Sequence, residues 1–248
     1  MGLAVRFAGL PSLEGIYQAG HKPIIVLSAL RPPGRQAFTC AHEIGHHVFG
    51  HGTRFDEILD RDEERVFEPE EYVAHRFAAA LLMPKLAVEA AFARRGWDPS
   101  APTAENLFVV AQDLGVGYTT LVSHLHHTLH LLSRDAATAL ERQPLKRLRR
   151  AIAGFEPAHD LFVVDQHWGE RPVEVEVGDL LLVPPGSRGE GTAVCELTSP
   201  RTHLVAVSPG RAAVTREKDR WSVPVRVARR DYEGLARYRH LEDPDYAG

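Results

Sequence analysis

Phe38-Thr39-Cys40-Ala41-His42-Glu43-Ile44-Gly45-His46 sets two imidazoles four positions apart, with a carboxylate directly after the first. On an α-helix that spacing stacks His42 and His46 on one face, where two neutral ring nitrogens can share one divalent cation. Glu43, beside them, can reach a water on that cation. Ala37, Ala41, Ile44 and Val48 recur at helical spacing, so the segment is predicted to be helical from about Arg35 to a stop at Gly50, with the histidines off the apolar stripe and facing a cleft. Gly45 inside a helix costs about 1 kcal/mol relative to Ala, which implies that something approaches closely there. The pattern points to zinc-dependent peptide hydrolysis; the bland alternative is a solvated helix face that happens to carry two histidines.

A cation that does chemistry needs a third protein ligand and an open position. Asp60, Asp62, Glu63, Glu64, Glu68, Glu70 and Glu71 are candidates, and Glu71 is preferred because a ligand on a helix is held more accurately than one on a loop. His75, four residues further on the same face, is the rival ligand or an outer partner that orients Glu71. An oxyanion donor is also expected, from Tyr72, His75, Tyr118 or His126.

Around the motif, Pro23 to Leu30 is a β-branched run ending at Arg31-Pro32-Pro33-Gly34 and is predicted to be a strand; at a sheet edge beside the cleft it could bind an extended substrate. Residues 52–70 are polar and acidic and predict a solvated loop with room for a short helix. Glu71 to Met83 is predicted to be a helix burying Ala74, Phe77, Ala78 and Leu81. Helices follow over 86–95, from a Thr103 N-cap to Leu114, over 119–132 and over 135–152, and the 103–132 pair resembles a helix-turn-helix. Beyond Pro157 the apolar period changes to two, with short strands predicted near residues 161–164, 173–177, 180–183, 193–197, 204–207, 212–215 and 223–227.

The motif block, together with Glu71-Tyr72-Val73-Ala74-His75-Arg76-Phe77-Ala78-Ala79-Ala80-Leu81-Leu82-Met83-Pro84, resembles the ImmA/IrrE family of metallo-endopeptidases. Gly15-Ile16-Tyr17 and Ala111-Gln112-Asp113-Leu114-Gly115-Val116 also resemble family patterns, so the likeness covers roughly residues 13–133. It implies an α+β, mainly helical zincin-like domain with a small N-terminal sheet. It also implies His42, His46 and Glu71 as metal ligands, Glu43 as catalytic base, and Zn²⁺, with Mn²⁺ as the second choice. The implied substrate is a Xre-type helix-turn-helix repressor, whose cleavage would release stress-response or mobile-element genes. His75 stands where the family commonly has Asn. The expected organisation is a metallopeptidase domain over 1–100, a helix-turn-helix-like region over 101–155 and a β-rich domain over 156–248.

The 248 residues are 44% hydrophobic, enough for a sizeable core, and the formal charge of −4 with a pI near 6.4 gives no global reason to bind nucleic acid or anionic lipid. Cys40 and Cys195 form no paired spacing, and no apolar run reaches membrane-spanning length, so a cytoplasmic protein is expected. The alternative function is a DNA-binding or ligand-sensing regulator with a structural metal site. Against DNA reading, the helix over 119–132 lacks Arg, Lys, Asn and Gln. His47 and His51 are expected in surface or outer roles, Cys40 in the core, and His124, His126, His127 and His130 on a helix without a metal. The cluster Arg142, Lys146, Arg147, Arg149 and Arg150 is expected to be a solvated face.

Overall fold

The structure is a computed structural model that describes residues 2–57, 68–169, 171–199 and 201–241, with the backbone alone at 55–57. The chain divides into two compact units. The first takes in the chain up to Ala87 together with Gly115–Gly117 and Asp231–Arg239.

In this first unit β1 (Ala4–Ala8), β2 (Leu13–Gln18), β3 (Ile24–Ser28), β4 (Arg54–Glu57) and the distant β13 (Gly234–Leu235) form a sheet in the order β13-β1-β3-β2-β4. β3 runs parallel to β1 and antiparallel to β2, and β4 is antiparallel to β2. The expected strand at Pro23 to Leu30 is therefore present but central, because β1 and β2 occupy both its edges. Among the described strands the edge on that side is β4, at the start of what the polarity of residues 52–70 predicted to be loop. The polarity of Arg54–Glu57 is overridden by pairing to β2, a contact that composition does not encode.

Phe7, Tyr17, Ile25, Leu27 and Ala29 form the core on this sheet, and Cys40 and Ile44 of α1 (Pro33–Phe49) pack against it. Proline at the first turn opens α1, and Gly50 closes it in the left-handed conformation (φ 70°) that a side chain disfavours. The apolar stripe predicted for α1 is only partly used: Ala41 is buried, but Val48 is half exposed. What the helix buries instead is largely polar, namely Gln36, Thr39, His42, Glu43 and His46. Gln36 shows how this is tolerated, since its Nε2 donates to the carbonyls of Arg31 at 2.8 Å and Ala29 at 3.3 Å.

α2 (Pro69–Leu82) packs against α1 through Ala74 and Ala78, both fully buried. Leu81, expected on the buried face, is 52% exposed, because the helix turns its small residues toward α1. A Cβ on Gly45 would lie 3.0 Å from Ala74 Cα and 3.2 Å from the Phe77 ring. The close approach that Gly45 implies is thus α2 itself.

The second unit comprises residues 88–114, 118–230 and the chain from His240. α3 (Lys85–Ala93) leads into it, followed by α4 (Ala104–Leu114), α5 (Tyr118–His127), α6 (Arg134–Glu141) and α7 (Leu145–Ala153). Thr103 caps α4 as expected, its Oγ accepting from Asn106 N at 3.1 Å while Asn106 Oδ1 accepts from Thr103 N at 3.0 Å. α5 stops at His127 instead of Leu132, where the N–H groups of Thr128 and Leu129 both turn back to the His124 carbonyl. The helix expected over 135–152 is two, α6 and α7, because Pro144 has no N–H to continue the ladder.

The β-rich part of this unit holds β5 (Leu161–Val163), β6 (Val173–Glu176), β7 (Leu180–Leu182), β8 (Arg188–Glu190), β9 (Val194–Leu197), β10 (His203–Ala206), β11 (Gly210–Arg216) and β12 (Trp221–Ala228). They form sheets ordered β5-β7-β10-β9 and β6-β12-β11-β8, which share one core built on Val175, Leu181, Leu204, Val214 and Val225. β1, β2, β8 and β13 are strands that the period-two pattern did not predict. The α4 side chain Gln112 acts as a further edge pairing for β5: its amide donates to the Leu161 carbonyl and its carbonyl accepts from Val163 N at 2.8 Å. Among the described residues no helix is long and apolar enough to cross a membrane.

Candidate metal centre

α1 and α2 bring together three groups that sequence separates. His42 Nε2 lies 3.0 Å from His46 Nε2 and 3.0 Å from Glu71 Oε2, and His46 Nε2 lies 3.3 Å from Glu71 Oε1. Among the described residues these are the one cluster of three His, Cys, Asp or Glu groups whose ligand atoms all lie within 4.8 Å of one another. The histidines sit one turn apart on α1 because of their spacing. Glu71 reaches them because Gly45, Ala74 and Ala78 let the helix axes approach.

The donor set fits a divalent cation. Two imidazole nitrogens 3.0 Å apart, lying 3.0 and 3.3 Å from the oxygens of one carboxylate, are the borderline donors such an ion takes, and they leave room in its coordination for water or substrate. Burial, reinforced by the neighbouring His42, pushes the His46 pKa down to about 4, so its ring is neutral and holds a lone pair near pH 7. The Glu71 side chain remains 39% exposed, so the cluster is open to solvent on the α2 side.

Glu43 is fully buried on the same helix. Gly15 of β2 faces it: a Cβ there would come within 2.6 Å of Thr39 Cγ2 and 2.9 Å of Glu43 Oε1. Glycine in the Gly15-Ile16-Tyr17 stretch thus makes room for the carboxylate under the sheet. The same burial, with Glu43 adding to it, pushes the Cys40 thiol up to about 11, in keeping with an inert core position.

The remaining candidates fall elsewhere. Glu68 and Glu70 pair with Arg54 of β4 instead of the histidines. Asp60, Asp62, Glu63 and Glu64 lie outside the described residues. His75 is exposed with its ring against Phe38 at 5.0 Å, and it is not part of the three-residue cluster. Tyr72, beside Glu71, is 54% exposed. Tyr118 and His126 have their polar atoms engaged in the second unit: the Tyr118 hydroxyl donates to the Leu140 carbonyl at 3.1 Å, and His126 Nδ1 donates to the Leu132 carbonyl at 2.8 Å.

Two contacts were not legible from the sequence. His51 Nδ1 lies 3.0 Å from His46 Nδ1, and His47 Nδ1 lies 2.8 Å from the Tyr17 hydroxyl. Both depend on how the chain turns after α1 and on where β2 passes, which periodicity does not report.

Comparison with known proteins agrees with this geometry. The family described as the IrrE N-terminal-like domain matches residues 4–126, a span that contains β1 to α2 and the whole cluster. The radiation response metalloprotease IrrE of Deinococcus radiodurans is 38% identical over 86 residues, covering 34% of this chain and 26% of that protein. The radiation response metalloprotease IrrE of Deinococcus deserti is 31% identical over 144 residues, covering 57% of this chain and 49% of that protein. The chain thus spans about a quarter and about half the length of these two curated relatives. Residues 4–126 thus resemble the ImmA/IrrE family of metallopeptidases.

Proposed function

We propose that this protein is a zinc-dependent endopeptidase, with His42, His46 and Glu71 as the metal ligands and Glu43 as the general base. The observation that carries the proposal is the convergence of two buried imidazoles and one carboxylate, with a second, fully buried carboxylate on the same helix turn. A divalent ion held there supplies Lewis acidity toward a peptide carbonyl and toward water. Glu43 takes the proton of the attacking water and returns it to the leaving amine nitrogen, so one carboxylate serves both halves of the reaction. Its burial beneath Gly15 restricts it to one position, which is what a group that must meet the same water at each turnover requires. Zn²⁺ suits a site of two imidazoles and a carboxylate; Mn²⁺ is the alternative where availability favours it.

The proposed substrate is a Xre-type helix-turn-helix repressor, cut at a locally extended segment. The support is the family match of residues 4–126 and the name of the two relatives, radiation response metalloprotease. The test is incubation with Zn²⁺ or Mn²⁺ and a Xre-type repressor encoded beside this gene. A discrete cut, blocked by chelator and absent with Glu43→Gln, is expected. An intact repressor under loading that saturates the metal site would reject that substrate, and a cut that survives chelation would reject the metal mechanism.

A further inference from the structure

We infer that His51 is a positioning residue for the metal centre, fixing the tautomer and ring orientation of His46 through an Nδ1-to-Nδ1 hydrogen bond. The inference rests on the proposed metal ligation and goes beyond it by assigning a residue outside the helix that carries the motif. A neutral imidazole has one N–H. His46 Nε2 faces His42 Nε2 at 3.0 Å and Glu71 Oε1 at 3.3 Å, so it can offer a lone pair to a cation only if the ring proton sits on Nδ1. That Nδ1–H, on a residue only 1% exposed, then needs an acceptor, and His51 Nδ1 lies 3.0 Å away. The opposite arrangement, with His51 donating, would place the His46 proton on Nε2 and turn an N–H toward the site.

The chain is built to hold His51 in that place. Gly50 adopts φ 70°, ψ 33°, the left-handed cap that reverses the chain at the end of α1. His51 N then donates back to the His46 carbonyl at 3.1 Å, tying backbone and side chain of the same two residues. The Phe49 ring stacks on the His51 ring at 5.8 Å with 21° between planes, and the His46 ring meets it edge-on at 5.1 Å. A ring held on two sides by other rings and at its root by a backbone hydrogen bond has little freedom to leave its partner. His51 therefore serves the site although it follows the helix-ending glycine and lies off the motif face.

The test uses the full chain and measures Zn²⁺ affinity by competition with a chromophoric chelator, alongside the melting temperature of the metal-free protein. His51→Phe keeps a ring against Phe49 but removes the acceptor, and His51→Asn places an amide oxygen near the position of Nδ1. His51→Ala replaces His51→Phe if the latter fails to fold. Loss of an outer hydrogen-bond partner of a metal ligand costs about 10- to 100-fold in affinity, so that weakening is expected for Phe or Ala, with Asn restoring most of it. Wild-type affinity in the variant without an acceptor, or equal weakening in Asn and Phe, overturns the inference while leaving the metal centre standing. Failure of the wild-type chain to bind Zn²⁺ at all overturns the metal centre, and this inference with it.

Discussion

At the scale of single residues, Glu43 and Glu71 carry different burdens although both are carboxylates. Glu43→Gln keeps size and burial but removes the proton acceptor, so repressor cleavage should fall by about 10²- to 10⁴-fold while bound zinc, measured by elemental analysis, stays stoichiometric. Ordinary turnover by that variant would remove Glu43 from its role. Glu71→Ala deletes a proposed ligand outright and should weaken metal binding by more than the roughly 100-fold expected of an outer partner, whereas His75→Ala should leave it unchanged. Retention of zinc by Glu71→Ala together with its loss in His75→Ala would assign the third ligand to His75. Gly15→Ala forces a methyl to within 2.6 Å of Thr39 Cγ2 and 2.9 Å of Glu43 Oε1. Since both neighbours are buried, the cost is an overpacking penalty of about 1–3 kcal/mol in a denaturation experiment, with cleavage reduced and zinc kept. Undiminished cleavage would mean that the fit of Gly15 against Glu43 has no part in placing the base.

At the scale of elements, the distance between α1 and α2 decides whether Glu71 meets the histidines. Gly45→Ala brings a methyl to 3.0 Å from Ala74 Cα, which is backbone and cannot rotate away. The helix gains about 1 kcal/mol of propensity from Ala over Gly, which offsets part of the overpacking. The melting temperature of the metal-free protein should therefore move little while zinc affinity drops, because α2 retreats and carries Glu71 with it. Unchanged affinity in a chelator competition would show that Glu71 tolerates a wider spacing of the two helices. The helices themselves were legible at this scale wherever a local signal exists: Gly50 at the end of α1, the Thr103 cap of α4, and the alanines of α2, whereas the Pro32-Pro33 pair predicted as a turn opens α1. They were misread where one residue outweighs the period, as at Pro144 between α6 and α7.

At the scale of the whole molecule, each of the two units has its own means of closure. In the second, Arg95, with a side chain only 1% exposed, pairs with Asp113 at 2.8 Å and with Asp165 at 2.6 Å, and Arg171 Nε donates to the Asp113 carbonyl at 2.6 Å. α3, α4 and the β-rich part are thus joined by a buried ionic clamp. Arg95→Ala leaves Asp113 buried with part of its charge compensation removed, which costs about 3–5 kcal/mol, a fall of roughly 6–20 °C in melting temperature for a chain of this size. A thermal melt within a degree or two of wild type would show the clamp to be dispensable. In the first unit, β13 comes from residues 234–235 to pair with β1, so the sheet beside α1 uses both early and late chain. By itself the sequence determined what depends on neighbours within a turn or two: the helix carrying His42, Glu43 and His46, the shared face of the two imidazoles, the small residues of α2 and the change to strand periodicity after Pro157. Only the tertiary structure decided that β3 is central, that β4 forms an edge, that Glu71 rather than Glu68 or Glu70 meets the histidines, and that His51 bends back onto His46. The physical reason is range: backbone periodicity and capping act over a few residues, whereas these placements follow from which surfaces close on one another, and a pattern along the chain does not contain that choice.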